Sequence, residues 1–175
     1  LGEYFDSEKN VQEVLTDKIA KIGENMSLRR AEVLSVSNGV IAGYVHNSVN
    51  ENLGKIGVLV ALESNADKSA LKKLGRELAM HIAASNPLAL NSDEIDKEVI
   101  DKEQQLITEE LKNLGKPDDI AKKISIGKLN KFKEENSLMT QDWVMEPKKK
   151  VKDVLSELSK KDIEINEFIR FKIGE

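Results

Sequence analysis

The spacing of apolar positions changes once, sharply, between Gly54 and Ser85. Ile56 to Leu62 is a near-continuous run of branched and apolar residues. Such a run belongs to a strand covered on both faces or set at a sheet centre. Beyond Glu63 the spacing turns helical. Leu71, Leu74, Leu78 and Ile82 recur at steps of three and four and share one face, while Lys72, Lys73, Arg76 and Glu77 fall away from it. Asn65 or Asp67 is placed to cap this helix, and Pro87 stops it shortly after its end. A buried strand followed by an amphipathic helix is the seed of a layered α/β core.

The same reading extends outward. Val11, Leu15, Ile19 and Ile22 predict a helix over 8–24, stopped by Gly23. Leu28 to Ser37 and Val40 to Asn47 read as two strands joined by Ser37-Asn38-Gly39, because an Asn-Gly pair between apolar runs is a strong hairpin signal. Val49 to Leu53 reads as a polar, exposed loop. Asp93 to Leu114 is long, charged and helical, with an apolar stripe of Ile95, Val99, Ile100, Leu106, Ile107, Leu111 and Leu114. Gly115-Lys116-Pro117 marks a turn into a second helix over about 118–134, which presents Ile120, Ala121, Ile124, Leu129 and Phe132. The two form a helical hairpin. Ser137 to Pro147 is irregular, Val151 to Leu158 a short helix, and Ile163 to Ile173 a final strand. A lone strand returning after a helical hairpin predicts an α+β fold: a small antiparallel sheet packed with helices, with the hairpin inserted.

Composition narrows the function classes. With 27 basic and 31 acidic residues the net charge is −4, which argues against bulk nucleic-acid binding. The chain has no cysteine, hence no disulfide and no thiol chemistry, and this fits a reducing compartment. No apolar run nears the roughly 20 residues of a membrane span, and no signal-peptide pattern is visible. A cytoplasmic protein with no membrane or direct nucleic-acid partner is the expectation. The chain starts at Leu1 and stops just after a strand-like segment, so a piece of a longer protein is expected.

Catalytic chemistry finds little support. A general base needs reach to its proton and a tuned pKa. The two histidines, His46 and His81, have no partners at metal-ligand spacing, and no serine sits in a nucleophile elbow. His81 lies at the edge of the apolar face of its helix and reads as a structural histidine. His46 ends a strand, where binding residues concentrate, yet by pattern alone it reads as surface polar. Gly54-x-x-Gly57 precedes a strand, the wrong context for a phosphate loop. Lys148 to Lys150 reads as a solvated helix start rather than an anion site. Trp143, Val144 and Met145 leave two readings: a loop folded back on the core, or a protein-contact patch, where aromatic and methionine side chains are enriched. No cofactor and no metal site is expected.

A set of ordered blocks then carries a resemblance. Lys21-Ile22-Gly23-Glu24-Asn25, Arg29-Arg30, Gly43-Tyr44-Val45-His46 and Lys55-Ile56-Gly57-Val58-Leu59-Val60-Ala61 come first. Ala79-Met80-His81-Ile82-Ala83-Ala84-Ser85-Asn86-Pro87, Glu98, Glu103 and Gly115-Lys116-Pro117 follow, then Val144-Met145-Glu146-Pro147 and Phe168-Ile169-Arg170-Phe171. In this order, along nearly the whole chain, they resemble bacterial elongation factor Ts. The resemblance implies a guanine-nucleotide exchange factor for elongation factor Tu, without covalent chemistry of its own. It also implies a core of two α/β subdomains and a coiled-coil insertion linked to dimerisation. Residues 1–27 would be the edge of the N-terminal subdomain, 28–87 with 139–175 the C-terminal one, and 88–138 the insertion.

The family's N-terminal helical module and its Thr-Asp-Phe motif have no counterpart in this sequence, nor has the terminal helical module. Partial exchange activity is therefore expected. The partner contacts carried over by matching positions are Ile22, Gly23, His46, Val144 and Met145. Elongation factor Tu is the expected partner, with a homodimer through the helical insertion beside it. The competing reading is a structural or dimerisation module that binds the partner without exchange activity.

Overall fold

A computed structural model describes residues 8–158 and 163–175. The chain divides into two compact units, Leu1–Val33 and Leu34–Glu175. The first holds helix α1, Val11–Ile22. Asn10 and Glu13 close a reciprocal cap at its start: the Asn10 side chain accepts from the Glu13 amide at 3.0 Å and the Glu13 carboxylate accepts from the Asn10 amide at 2.8 Å. Gly23 ends it at φ 80°, a left-handed conformation open to glycine, with its amide donating to Ile19 O at 2.8 Å.

The second unit is built on three antiparallel strands, β1 (Gly39–Asn50), β2 (Leu53–Glu63) and β3 (Glu164–Lys172), in the order β1-β2-β3. The apolar run 56–62 therefore lies at the sheet centre. Cross-strand partners share a face, so Val40, Ala42 and Tyr44 stand with Val58, Val60, Leu62 and Phe168 on one side. Helix α2, Lys68–Ser85, packs there. Its stripe of Leu71, Leu74, Leu78 and Ile82 is buried together with Val58, Val60, Leu62, Ile165, Leu138, Trp143, Val151 and Leu155 in one hydrophobic cluster. Each leucine removed from water there contributes about 1.5–3 kcal/mol. Asp67 is the cap: its carboxylate accepts from the Ser69 and Ala70 amides, each at 3.0 Å. The helix ends at Asn86, at φ 48°, immediately before Pro87.

Helices α3 (Lys97–Asn113) and α4 (Asp118–Glu135) lie against each other. Gln104 donates to Ser125 Oγ, and Lys128 pairs with Glu110 across the two. α3 starts at the Asp96 cap rather than at Asp93, because Glu94 bonds back to the Asn91 amide and side chain and closes a separate turn. A 3-10 turn, Leu138–Thr140, and helix α5, Val151–Leu158, lead to β3. No helix among the described residues is long and apolar enough to cross a membrane.

One expectation fails. Residues 28–37 form no strand, and Asn38-Gly39 is no hairpin turn. A two-residue turn of that kind needs positive φ at both positions, and neither Asn38 nor Gly39 has it. Asn38 instead ends the ladder: its carbonyl accepts from Ser64 N at 3.0 Å and its side chain donates to Asn65 at 2.6 Å. Charged residues interrupt 28–37, and of its apolar residues Leu28 and Val33 stay exposed while Leu34 is buried, so the segment does not present the alternating buried face of a strand. The β-hairpin of the sheet is one step later. β1 and β2 run into the expected loop 49–53 and turn at Glu51-Asn52, where Asn52 takes φ 59°.

Candidate functional site

The irregular stretch after α4 is a closed loop with fixed ends. Trp143 N–H donates to Lys149 O at 2.8 Å and Val151 N–H to Gln141 O at 3.1 Å, so the backbone returns on itself. Asp142 and Lys150 add an ion pair at 2.7 Å across the neck. Inside, Glu146 N–H donates to Trp143 O and Lys149 N–H to Glu146 O, both at 3.0 Å. Lys149 also pairs with Glu146 at 3.3 Å and Glu157 at 2.7 Å. Two lysines of the 148–150 run thus pin the loop and carry carboxylate partners already.

The loop sorts its apolar side chains in opposite directions. Trp143 is 4% exposed and belongs to the core, whereas Val144 and Met145 are 47% and 43% exposed. Of the two readings that the sequence left open, the buried one holds for Trp143 and the exposed position for its neighbours.

Trp143 stacks on His81 of α2, ring centroids 5.2 Å apart and 21° from parallel. His81 is fully buried and both ring nitrogens are engaged. Val144 N–H can only donate, so at 3.3 Å it makes His81 Nδ1 the acceptor. The proton then sits on Nε2, which donates to Gln141 Oε1 at 3.0 Å. The Gln141 amide donates in turn to Glu135 O at 2.9 Å and Ser85 O at 3.4 Å. Burial holds the His81 pKa below its ordinary value, with the Gln141 hydrogen bond pulling weakly the other way. The ring is therefore neutral, and a neutral ring suits this network.

His46 stands on β1 opposite Ile56, on the face that α2 covers further along. Tyr44, two residues earlier on the same face, places its hydroxyl 3.1 Å from His46 Nδ1. Tyr44 packs against the same core that holds Trp143, while the His46 ring stays exposed. Ile22, more than half exposed, and Gly23 close helix α1 in the Leu1–Val33 unit. β1 runs on to Asn50, so His46 does not end its strand as the sequence suggested, and the expected contact residues occupy three settings: a helix end, a strand interior and a pinned loop. Two supporting residues escaped the pattern. Strand period alone puts Tyr44 beside His46 and could have found it. Gln141 meets His81 across 60 residues, which no spacing announces. Among the described residues no group of three histidine or acidic side chains could hold a metal ion.

Fold and site define an α+β protein: a three-stranded antiparallel sheet layered with α2, bearing an anchored loop with two exposed apolar residues. Comparison with known proteins narrows that class to a family. The family model described as Elongation factor TS matches residues 2–175. The chain is 46% identical to elongation factor Ts of Bartonella henselae over 175 residues, 98% of this chain and 57% of that protein. It is 46% identical to that of Sinorhizobium medicae, covering 95% of this chain and 55% of the relative. For Zymomonas mobilis the identity is 44%, with the same two shares of 95% and 55%. The chain belongs to the elongation factor Ts family, and it spans a little over half the length of these relatives.

Proposed function

We propose that this chain binds elongation factor Tu and promotes release of its GDP, with partial activity, in the cytoplasm. The observation that carries the reading is the family match along residues 2–175. The pinned loop supports it, since Val144 and Met145 are exposed apolar side chains on a backbone that cannot wander. Ile22, Gly23, His46, Val144 and Met145 are the contacts. Exchange by this route breaks no covalent bond. A protein that binds the nucleotide-free partner better than the loaded one lowers nucleotide affinity by the same factor, through linkage. In this reading residues 1–27 are the edge of an N-terminal core subdomain, 28–87 with 139–175 form the C-terminal subdomain, and 88–138 is the insertion.

Binding energy at interfaces concentrates in a few anchors worth about 1–2 kcal/mol or more each. Val144→Ala with Met145→Ala should therefore weaken binding to nucleotide-free elongation factor Tu by roughly tenfold or more, with an unchanged melting temperature. The assays are calorimetric binding and release of a fluorescent GDP from elongation factor Tu. Unchanged binding by the double variant would remove the site. Release no faster than the spontaneous rate would favour the second reading, a dimerisation module. That alternative draws on α3 and α4, where Leu106, Leu114, Ile120 and Ile126 are each at least half exposed. A homodimer through these helices would cover them, and sedimentation at rising concentration reads it out.

A further inference from the structure

We infer that His81 is a positioning residue for the partner-contact loop: its Nδ1 holds the Val144 backbone amide and thereby sets the outward presentation of Val144 and Met145. The inference rests on the reading of those two residues as contacts. Three observations carry it. Between Val144 and Lys148 the described backbone hydrogen bonds leave the loop once, at the Val144 amide, and the acceptor is His81. That amide belongs to the residue whose side chain points to solvent, so the bond fixes the place from which Val144 projects. The imidazole is itself locked, by Trp143 stacked on its face and by Gln141 on its far nitrogen.

Gln141 is tied in turn to Glu135 O at the end of α4 and to Ser85 O at the end of α2. A chain of four hydrogen bonds thus runs from two helix ends, through Gln141 and a ring with one allowed tautomer, to the loop backbone. An apolar side chain of the same size would fill the space beside Trp143. It would leave the Val144 amide without its acceptor, a loss felt at the loop and not only in the core.

Two substitutions separate presentation from stability. In His81→Asn the side-chain oxygen can occupy the Nδ1 position and still accept from Val144. In His81→Gln the amide reaches the Nε2 position and Gln141 but vacates the Nδ1 position. Both should melt lower than the wild type, because both lose the stacked ring. The Val144 amide should exchange with deuterium about tenfold faster in His81→Gln and within about threefold of wild type in His81→Asn. Affinity for nucleotide-free elongation factor Tu, measured well below either melting point, should follow the same order.

Binding losses that are equal in the two variants, or that track melting temperature, overturn the inference. Val144→Ala with Met145→Ala, run alongside, separates the two claims. If it leaves binding intact, the contact assignment fails, while amide exchange still judges the role of His81. If it weakens binding and His81→Gln does not, the positioning role fails. Should either His81 variant not fold, nitrogen NMR of the wild-type chain decides. A proton on Nε2 and a coupling across the bond from the Val144 amide to Nδ1 are expected. A proton on Nδ1 overturns the inference.

Discussion

Gly75 lies at a close approach of α2 to the sheet, and Gly75→Ala puts two opposing effects in competition. A Cβ at this position would lie 2.5 Å from Ala42 Cβ and 3.3 Å from Leu62 Cδ1. Carbon atoms in contact rest at about 3.5–4.0 Å, so helix and strand must part by about 1 Å. Ala42 has no rotamer through which to yield, and it is paired with Val60 at the sheet centre. The strain therefore falls on the backbones and loosens the layer around Leu71, Leu74 and Leu78. Overpacking of this kind costs about 1–3 kcal/mol. Alanine in place of glycine inside a helix returns about 1 kcal/mol. The net expectation is a loss of up to about 2 kcal/mol, which for a unit of this size lowers the melting temperature by up to roughly 8 °C. Urea and thermal unfolding followed by circular dichroism measure it. The clash also predicts a partner effect. Ala42→Gly removes the opposing methyl, so the double variant should show about 1 kcal/mol or more of favourable coupling in a double-mutant cycle. A Gly75→Ala chain more stable than the wild type, or strict additivity with Ala42→Gly, would refute the packing argument.

Two further outcomes are expected. Replacing about Asp93 to Phe132 by a short Gly/Ser linker should leave the sheet and α2 folded and melting cooperatively. The buried residues of the helical pair, Ile107 and Leu111, are not part of the main cluster. The chain on either side of the replaced stretch is already held together, with Leu88 N–H on Asn136 O and Leu138 N–H on Ala89 O, both at 2.9 Å. A non-cooperative melt would place the pair within the core. For His81 the sign follows from its lowered pKa. Below about pH 6.5 the unfolded chain takes up a proton that the folded chain refuses, so stability is fully present above that value. It falls as pH drops toward the folded-state pKa, by up to about 1.4 kcal/mol per pH unit. His81→Asn should flatten the pH dependence of urea unfolding in that window relative to wild type. An unchanged slope would contradict a neutral, buried ring.

Wherever a local rule and a long-range partner agreed, the sequence alone determined the outcome. The spacing of Leu71, Leu74, Leu78 and Ile82 placed α2 and its buried face, because a helix makes its own hydrogen bonds and needs only a surface to lie on. The run at Ile56 placed the central strand, Gly23 the end of α1, and the ordered blocks the family. Strand pairing was different. Leu28 to Ser37 looked as strand-like as its neighbour, but a strand exists only through a partner, and the segment pairs with none of the three strands, β1 remaining at the sheet edge. Asn38-Gly39 had turn chemistry, yet the ladder ended there and the chain turned at Glu51-Asn52. The loop shows the same division. Its composition left Trp143 and Val144 with one shared choice between core and surface. Tertiary structure parted them, because His81, Gln141, Glu135 and Ser85 meet only once α2 and α4 have ended beside each other. The bonds from Gln141 to His81 and Ser85 and from Val144 to His81 span about 60 residues, and hydrogen bonds at that separation depend on packing that no local period encodes.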